Sequence, residues 1–144
     1  MTSKREQVLD AIKALVTGAL PYADVERNRD KPQAIGPGGT VIIRDGDPGE
    51  ADVTLSPLTY LWDHRVPLEV GAYEGGGKSP GEVLDDMLRP LGAAIEADRT
   101  LGGLCDWLDV SAPVTDSIEA FGVEPGRWAD LDIVATYATS NPLA

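Results

Sequence analysis

The stretch TVIIRDGDPGEADVTLSPLTYLWDHRVPLEVGAYE, residues 40–74, decides the fold of this chain because it is the longest run with a readable period. From Leu58 to Ala72 every second residue is apolar or aromatic, or is the single histidine, whereas the charged Asp63 and Arg65 lie at intervening positions. This alternation predicts a half-buried β-strand. Its length is far above the usual strand of about five or six residues. We therefore expect part of it to extend past the core and to serve assembly.

Two shorter strands are predicted upstream of the long one. Residues 40–44 contain the apolar run VII, which is typical of a strand buried on both faces. Residues 45–50, DGDPGE, have the Asp-Gly and Pro-Gly chemistry of a turn. Residues 51–55 are then expected to return as the second arm of a hairpin. Pro67 cannot donate a ladder hydrogen bond, so we expect it at a sheet edge or in a bulge.

Helical periodicity occurs at two places. Residues 4–20 carry apolar residues at helical spacing and follow a capping box, SKRE at residues 3–6. The same cap chemistry, SPGE at residues 79–82, begins a second helix that ends near residue 98. Pro90 is expected to kink this helix or to divide it in two.

The remaining segments supply the rest of a single domain. Further strands are predicted at residues 22–27, 104–110 and 127–139, with a polar loop at 28–32 and an irregular acidic stretch at 111–126. Helix, strands, helix and strands follow one another without a repeat or a linker. This order predicts one α+β domain over residues 1–144: a single mainly antiparallel, mixed β-sheet with two helices packed on one face and a long protruding β-hairpin.

The composition excludes several classes of function. The 144 residues include 24 acidic and 12 basic side chains, for a net charge of −12. Binding to nucleic acid through clustered cations is therefore not expected, nor is binding to an anionic membrane. No apolar run approaches the length of a membrane span, and the N-terminus MTSKREQ lacks a signal peptide's apolar region. We expect synthesis in a bacterial cytoplasm. A single cysteine, Cys105, excludes an internal disulfide and a cysteine metal cage.

No catalytic, cofactor-binding or metal-binding residue is predicted. The tripeptide GKS at residues 77–79 lies between a predicted strand and a helix, as in a phosphate-binding loop, but Ala72 stands where that motif requires its first glycine. A flexible linker is the simpler interpretation. The alternative is a small nucleotide- or CoA-utilising enzyme that acts through residues 75–79. Residues 45–50 fit a turn better than a calcium loop.

Ten side chains are predicted to form contacts with other subunits or with a tube. Aromatic residues are enriched at interface centres, and the loop of residues 27–31 carries three cations that suit an acidic turn of a neighbouring copy. His64 is expected to be a partly buried strand residue. A second alternative is a monomeric adaptor domain that binds partners by β-edge pairing. The predicted set is Arg27, Arg29, Lys31, Asp45, Asp47, Glu50, Tyr60, Trp62, His64 and Arg65.

Five segments together carry a resemblance to a known family. They are RNRDKP (27–32), RDGDPGE (44–50), VTLSPLTY (53–60), HR (64–65) and ADRTLGGLCDW (97–107). In combination they resemble the tail terminator, or tail completion, proteins of long-tailed phages and of phage-like gene transfer agents.

The resemblance implies a structural protein without enzymatic activity. Its copies would form a homo-hexameric ring at the head-proximal end of a tail tube, inside a phage-like particle. The implied partners are the tail tube protein and a head-completion or stopper protein. DNA would pass through the ring without sequence-specific binding, and no membrane or cofactor is involved.

Overall fold

The computed structural model describes residues 2–32, 35–73, 77–118 and 126–144. Within these residues the predicted α+β fold is confirmed: two helices accompany a seven-stranded mixed sheet that does not close. The elements in chain order are α1 (Lys4–Ala19), β1 (Asp24–Arg27), β2 (Thr40–Ile43), β3 (Asp52–Leu55), β4 (Leu58–Tyr73), α2 (Pro80–Ala97), β5 (Trp107–Val110), β6 (Val114–Ile118) and β7 (Gly126–Thr139).

Strand β4 is the centre of the sheet. It pairs antiparallel with β7 from Tyr60 to Tyr73, and along its other edge it pairs antiparallel with β2 and β3. Strand β1 lies outside β2 and runs parallel to it, while β5 and β6 pair antiparallel with β7. The length of β4 is therefore explained mainly by its pairing with β7. Only Leu58 and Thr59 extend beyond the last pair with that strand.

The segment between β2 and β3, residues 44–51, is called the connector below, and it does not close a hairpin as the sequence predicted. Strands β2 and β3 pair with different parts of β4, at residues 68–71 and 58–61. The connector runs along the same edge between them, where Asp47 bridges Arg65. The hairpin turn lies instead at Ser56-Pro57, between β3 and β4.

Pro67 lies in this central strand rather than at a sheet edge. Its carbonyl oxygen accepts a hydrogen bond from the Arg44 amide, so its backbone groups face the connector. The pairing of β2 with β4 ends at Leu68, and the next bridge along this edge is at Arg65. Gly46 lies between these two points, where a Cβ would lie 2.8 Å from Pro67 Cδ. The proline therefore sits where the strand has no ladder bond to lose.

The two helices cover one face of the sheet. Side chains Ser3 and Ser79 accept hydrogen bonds from the amides of Glu6 and Glu82, which confirms both predicted caps. Pro90 lies inside α2, but the helix is continuous, so the predicted division is wrong. The stretch expected to be irregular contains strand β6. Its residues 119–125 lie outside the described part of the chain.

Candidate interface site

The apolar inner face of the sheet continues past the two helices. Alternate β4 residues from His64 to Ala72 are completely buried beneath the helices. Because strand side chains alternate, Leu58, Tyr60 and Trp62 lie on the same face. Leu58 is 49% exposed, and its partner in β3, Leu55, is 82% exposed. We name the uncovered part of this face the hairpin surface, formed by Val53, Leu55, Leu58, Tyr60 and Trp62.

Two aromatic rings hold the base of the hairpin surface in place. Tyr60 and Trp62 are stacked, with ring centroids 6.3 Å apart and an interplanar angle of 14°. The Trp62 indole Nε1 donates a hydrogen bond to Thr139 Oγ1 at 2.9 Å. Both rings are half-buried and Trp62 packs against the core. The surface is therefore anchored to the domain, which limits the entropy lost when a partner binds.

Charge is absent from the hairpin surface and concentrated beside it. Residues 53–61 contain no acidic or basic side chain in a chain that is 25% charged. Asp47, Glu50 and Asp52 follow one another along the preceding segment, and all three are exposed. Asp47 and Asp52 are paired with Arg65 and Leu61, so their side chains point to the opposite face of the sheet. Together with Glu50 they form an acidic border along the strand edge beside the apolar surface.

Arg27 pairs with acidic residues of its own chain. Its Nη1 lies 3.2 Å from Glu6 and 3.3 Å from Asp10, and its Nη2 lies 2.8 Å from Asp45. The guanidinium holds the pKa of the Asp45 carboxyl below its usual range, and the hydrogen bonds that Arg27 donates to Glu6 and Asp45 raise the pKa of Arg27. The predicted attraction between the cationic loop and the acidic turn is thus present within a single chain.

The other two cations of that loop also have partners within the chain. Arg29 pairs with Asp24. Lys31 lies 3.6 Å from Glu69 and places its Nζ 4.8 Å from the centroid of the Trp128 ring. Neither pairs with the acidic turn, so Arg27 is the one cation of the three that is paired with it among the described residues. Asn28 of the same loop donates a further hydrogen bond to the Asp45 carboxylate at 2.9 Å.

His64 is completely buried, more deeply than predicted. Its Nε2 lies 2.6 Å from the backbone oxygen of Asp45, and its Nδ1 lies 2.9 Å from the Tyr137 hydroxyl. A carbonyl oxygen only accepts, so Nε2 carries the proton and Nδ1 accepts from the tyrosine. Burial lowers the pKa of His64. The imidazole has no exposed surface for a partner, and it acts instead by fixing the connector.

The remaining predicted residues lie around the connector. Asp47 exchanges two backbone hydrogen bonds with Arg65, and its carboxylate accepts from the Gly49 amide at 2.8 Å. Arg65 points to the sheet face opposite the helices, where it pairs with Asp132 at 3.3 Å. Glu50 is exposed. The ten predicted residues therefore do not form one surface: Tyr60 and Trp62 belong to the hairpin surface, and Asp47 and Glu50 belong to its acidic border.

Sequence reasoning missed the three aliphatic members of the hairpin surface. The sequence pattern predicts Val53 and Leu55 only as residues of a returning strand and Leu58 only as the start of the long strand. The signal that could have identified them is the uncharged run from residue 53 to 61, in which the apolar residues alternate.

The loop considered for phosphate binding has its polar groups engaged. Lys78 pairs with Asp86, which raises the pKa of Lys78, and Ser79 caps α2. Residues 75 and 76 of that loop lie outside the described residues. Among those described, no group of three or more His, Cys, Asp or Glu side chains could hold a metal ion.

Comparison with known proteins adds no family to these observations. No family model matches the chain, and no curated protein matches it significantly. Neither α1 nor α2, the helices in the described part of the chain, has the length and apolarity needed to cross a membrane.

Proposed function

We propose that this chain is the structural subunit of a ring at the head-proximal end of a phage-like tail tube. In this role its copies stop tube polymerisation and offer a joining surface to head-completion proteins, while DNA passes through the ring. The particle context is supported by the likeness of five sequence segments to tail terminator proteins. The capacity to assemble is supported by the hairpin surface, which is the observation that carries the proposal.

The hairpin surface favours assembly for an energetic reason. Burying apolar surface contributes about 25 cal/mol per Å², and contiguous apolar patches on soluble proteins commonly mark interaction sites. Here the patch continues the face of an existing core, so a neighbouring subunit that covers it would extend that core. Leu55 at the hairpin tip is the most exposed apolar member of the paired strands and would reach farthest into a neighbour.

The charge of the chain suits a passage for DNA. The net charge is −12, and eight of the 12 lysines and arginines already form ion pairs within the described residues. A ring wall with few free cations offers phosphates no pairing partners, so DNA would slide through without being held.

Electron microscopy of particles that lack this protein tests the proposal. We expect tails of irregular length and heads that are not joined to them. Normal tail length together with normal head joining would contradict the proposal. Light scattering of the purified chain, with and without tail tube protein, is expected to give a mass several-fold above the 15.2 kDa of one copy.

A further inference from the structure

Strand β3 has an open backbone edge, unlike two other strands at the margins of the sheet. Its residues are all exposed, and among the described residues it pairs only with β4. At the margin formed by β5, Arg99 donates to the Leu108 carbonyl at 2.8 Å and the Asp109 carboxylate accepts from the Val110 amide. At the margin formed by β1, three of four residues are charged. Such side chains protect a strand edge from pairing, and β3 carries only one charged residue, Asp52.

The direction of the β3 backbone groups follows from the register. Arg65 exchanges hydrogen bonds with Asp47, so its backbone faces this edge. Alternate β4 residues face the same way, which directs Thr59 and Leu61 to β3 and pairs them with Thr54 and Asp52. The backbone groups of Val53 and Leu55 therefore point away from β4, while their side chains lie on the hairpin surface.

We propose that β3 receives an extended, basic segment of a different protein as an additional strand. This inference rests on the proposed function, since that protein is then a neighbouring component of the particle. The incoming strand bonds the outward backbone groups of Val53 and Leu55. Its apolar residues, at alternate positions, continue the hairpin surface. Its lysines or arginines, at the intervening positions, lie on the opposite face beside Asp47 and Asp52 of the acidic border. Main-chain bonds then provide affinity, and the alternating side chains provide specificity.

Charge selects the occupant. Asp47, Glu50 and Asp52 form no ion pair with a cation anywhere in the described ranges 2–32, 35–73, 77–118 and 126–144, so their negative charge is available to a partner. A second copy of this chain brings a net charge of −12, and its loop cations Arg29 and Lys31 are paired with Asp24 and Glu69. Electrostatic complementarity therefore favours a basic partner over self-pairing at this edge.

Three fluorescein-labelled peptides and the full-length chain test this inference. The peptide KVTVTVK has alternating apolar residues and basic ends, EVTVTVE differs only in charge, and a third is KVTVTVK with N-methyl groups on its five central residues. We expect KVTVTVK to bind at least about tenfold more tightly than EVTVTVE because the border is acidic. The methylated peptide keeps the charge but cannot pair with a strand, so it is expected not to bind measurably.

Two substitutions at Val53 test whether the peptide binds at the edge of β3. Val53→Pro removes an outward N–H without removing a bond to β4, whereas Val53→Thr retains that N–H. We expect Val53→Pro to weaken KVTVTVK binding by at least about tenfold and Val53→Thr to change it by less than about twofold. Urea unfolding of both variants establishes that the domain is folded.

Three outcomes overturn the inference. If the methylated peptide binds as tightly as KVTVTVK, the binding is due to charge attraction alone and not to strand pairing. Undiminished binding by Val53→Pro places the peptide elsewhere. Loss of self-association in Val53→Pro, with no peptide binding to the unsubstituted chain, assigns the edge to a second copy. The proposed function is measured separately: if KVTVTVK binds as expected but particles without the protein have normal tails, the ring role fails while the strand site stands.

Discussion

His64 Nε2 donates a hydrogen bond to the backbone oxygen of Asp45 over 2.6 Å, and this bond joins the centre of β4 to the connector. The other ring nitrogen accepts from Tyr137, and the Asp45 side chain is held by Arg27. One buried imidazole and one guanidinium thus anchor the segment that brings Asp47 to the surface. The position of Asp47 in the acidic border depends on these two groups together with its backbone bonds to Arg65.

Mild acid is expected to destabilise the folded chain through His64. Burial lowers its pKa below the ordinary 6.5, an effect that nearby Arg5 reinforces and that Asp45 and Asp47 oppose. As the pH falls below about 6.5, His64 is protonated first in the unfolded chain. The stability contributed by the neutral, buried His64 is therefore complete above that pH, and it is lost as the pH falls through the pKa of His64 in the folded chain. Urea unfolding at about pH 7.5 and about pH 5.5 measures this loss.

The control for the histidine is His64→Gln, which keeps hydrogen-bonding groups but does not titrate. Its unfolding free energy is expected to change less between the two pH values than that of the unsubstituted chain. The comparison stays above the range in which Asp45 protonates, since Arg27 lowers the pKa of that carboxyl. An equal pH dependence in both proteins would show that His64 is not the responsible group.

Removal of the Arg27 guanidinium is expected to lower the free energy of unfolding more than removal of an exposed guanidinium does. Arg27→Met leaves Glu6, Asp10 and Asp45 without their shared partner, and the Arg27 side chain is only 21% exposed. We expect a loss of about 1–2 kcal/mol, since charge-assisted hydrogen bonds are worth about 1.5–3 kcal/mol before solvent screening. Urea unfolding at low and high salt measures it, and the loss is expected to shrink as salt rises.

Arg89→Met is the matched control because it removes the same charge from the chain. Arg89 is 70% exposed and pairs with Asp85 and Asp86 on the surface of α2. A loss below about 0.5 kcal/mol is expected for such a pair. Equal losses in the two variants would mean that the Arg27 cluster has no special role.

Local features of the sequence were enough to predict most elements of this fold. The caps at Ser3 and Ser79 depend on side chains three residues apart, and alternation in β4 and β7 depends on neighbours two residues apart. Both signals are contained in short windows. The α+β class followed from their order alone.

Strand pairing and charge pairing are long-range, and there the sequence prediction was less complete. Residues 45–50 have the sequence of a turn, but β2 and β3 each pair with β4 and not with one another. The three cations of the loop suggested contacts between subunits, yet Arg27 reaches Asp45 in its own chain. Charge reversal at Asp45 would consequently disturb the domain itself, whereas Asp47 is the better probe of assembly.

A methyl group at Gly71 is expected to destabilise the sheet. Trp128 lies opposite Gly71, and a Cβ there would lie 2.9 Å from the indole ring. Since the ring is almost completely buried, it has little room to move. Gly71→Ala should cost about 1–3 kcal/mol by overpacking. Urea unfolding measures the cost, and the double variant with Trp128→Leu is expected to lose less than the sum of the single variants.

Gly92→Ala provides the opposite case. Gly92 lies within α2, and a Cβ there meets no atom within 4 Å. Alanine in a helix is preferred over glycine by about 0.5–1 kcal/mol, so a gain in stability is expected. A destabilised Gly92→Ala variant, or a Gly71→Ala variant as stable as the original chain, would contradict these packing assignments.

Lysine variants of two similarly exposed leucines distinguish an effect on assembly from a general effect of surface charge. Leu55 is 82% exposed at the tip of the hairpin surface, and Leu143 is 87% exposed near the C-terminus. Each substitution by lysine adds one charge, and neither removes a buried side chain, so the unfolding free energy is expected to change by less than about 0.5 kcal/mol. Leu55→Lys places a charge in the proposed apolar contact. We expect it to lower the association constant of the assembly, measured by light scattering, at least about tenfold. Leu143→Lys is expected to assemble normally. If both variants assemble like the unsubstituted chain, the hairpin surface is not the subunit contact, because a desolvated lysine could not be accommodated there without a measurable cost.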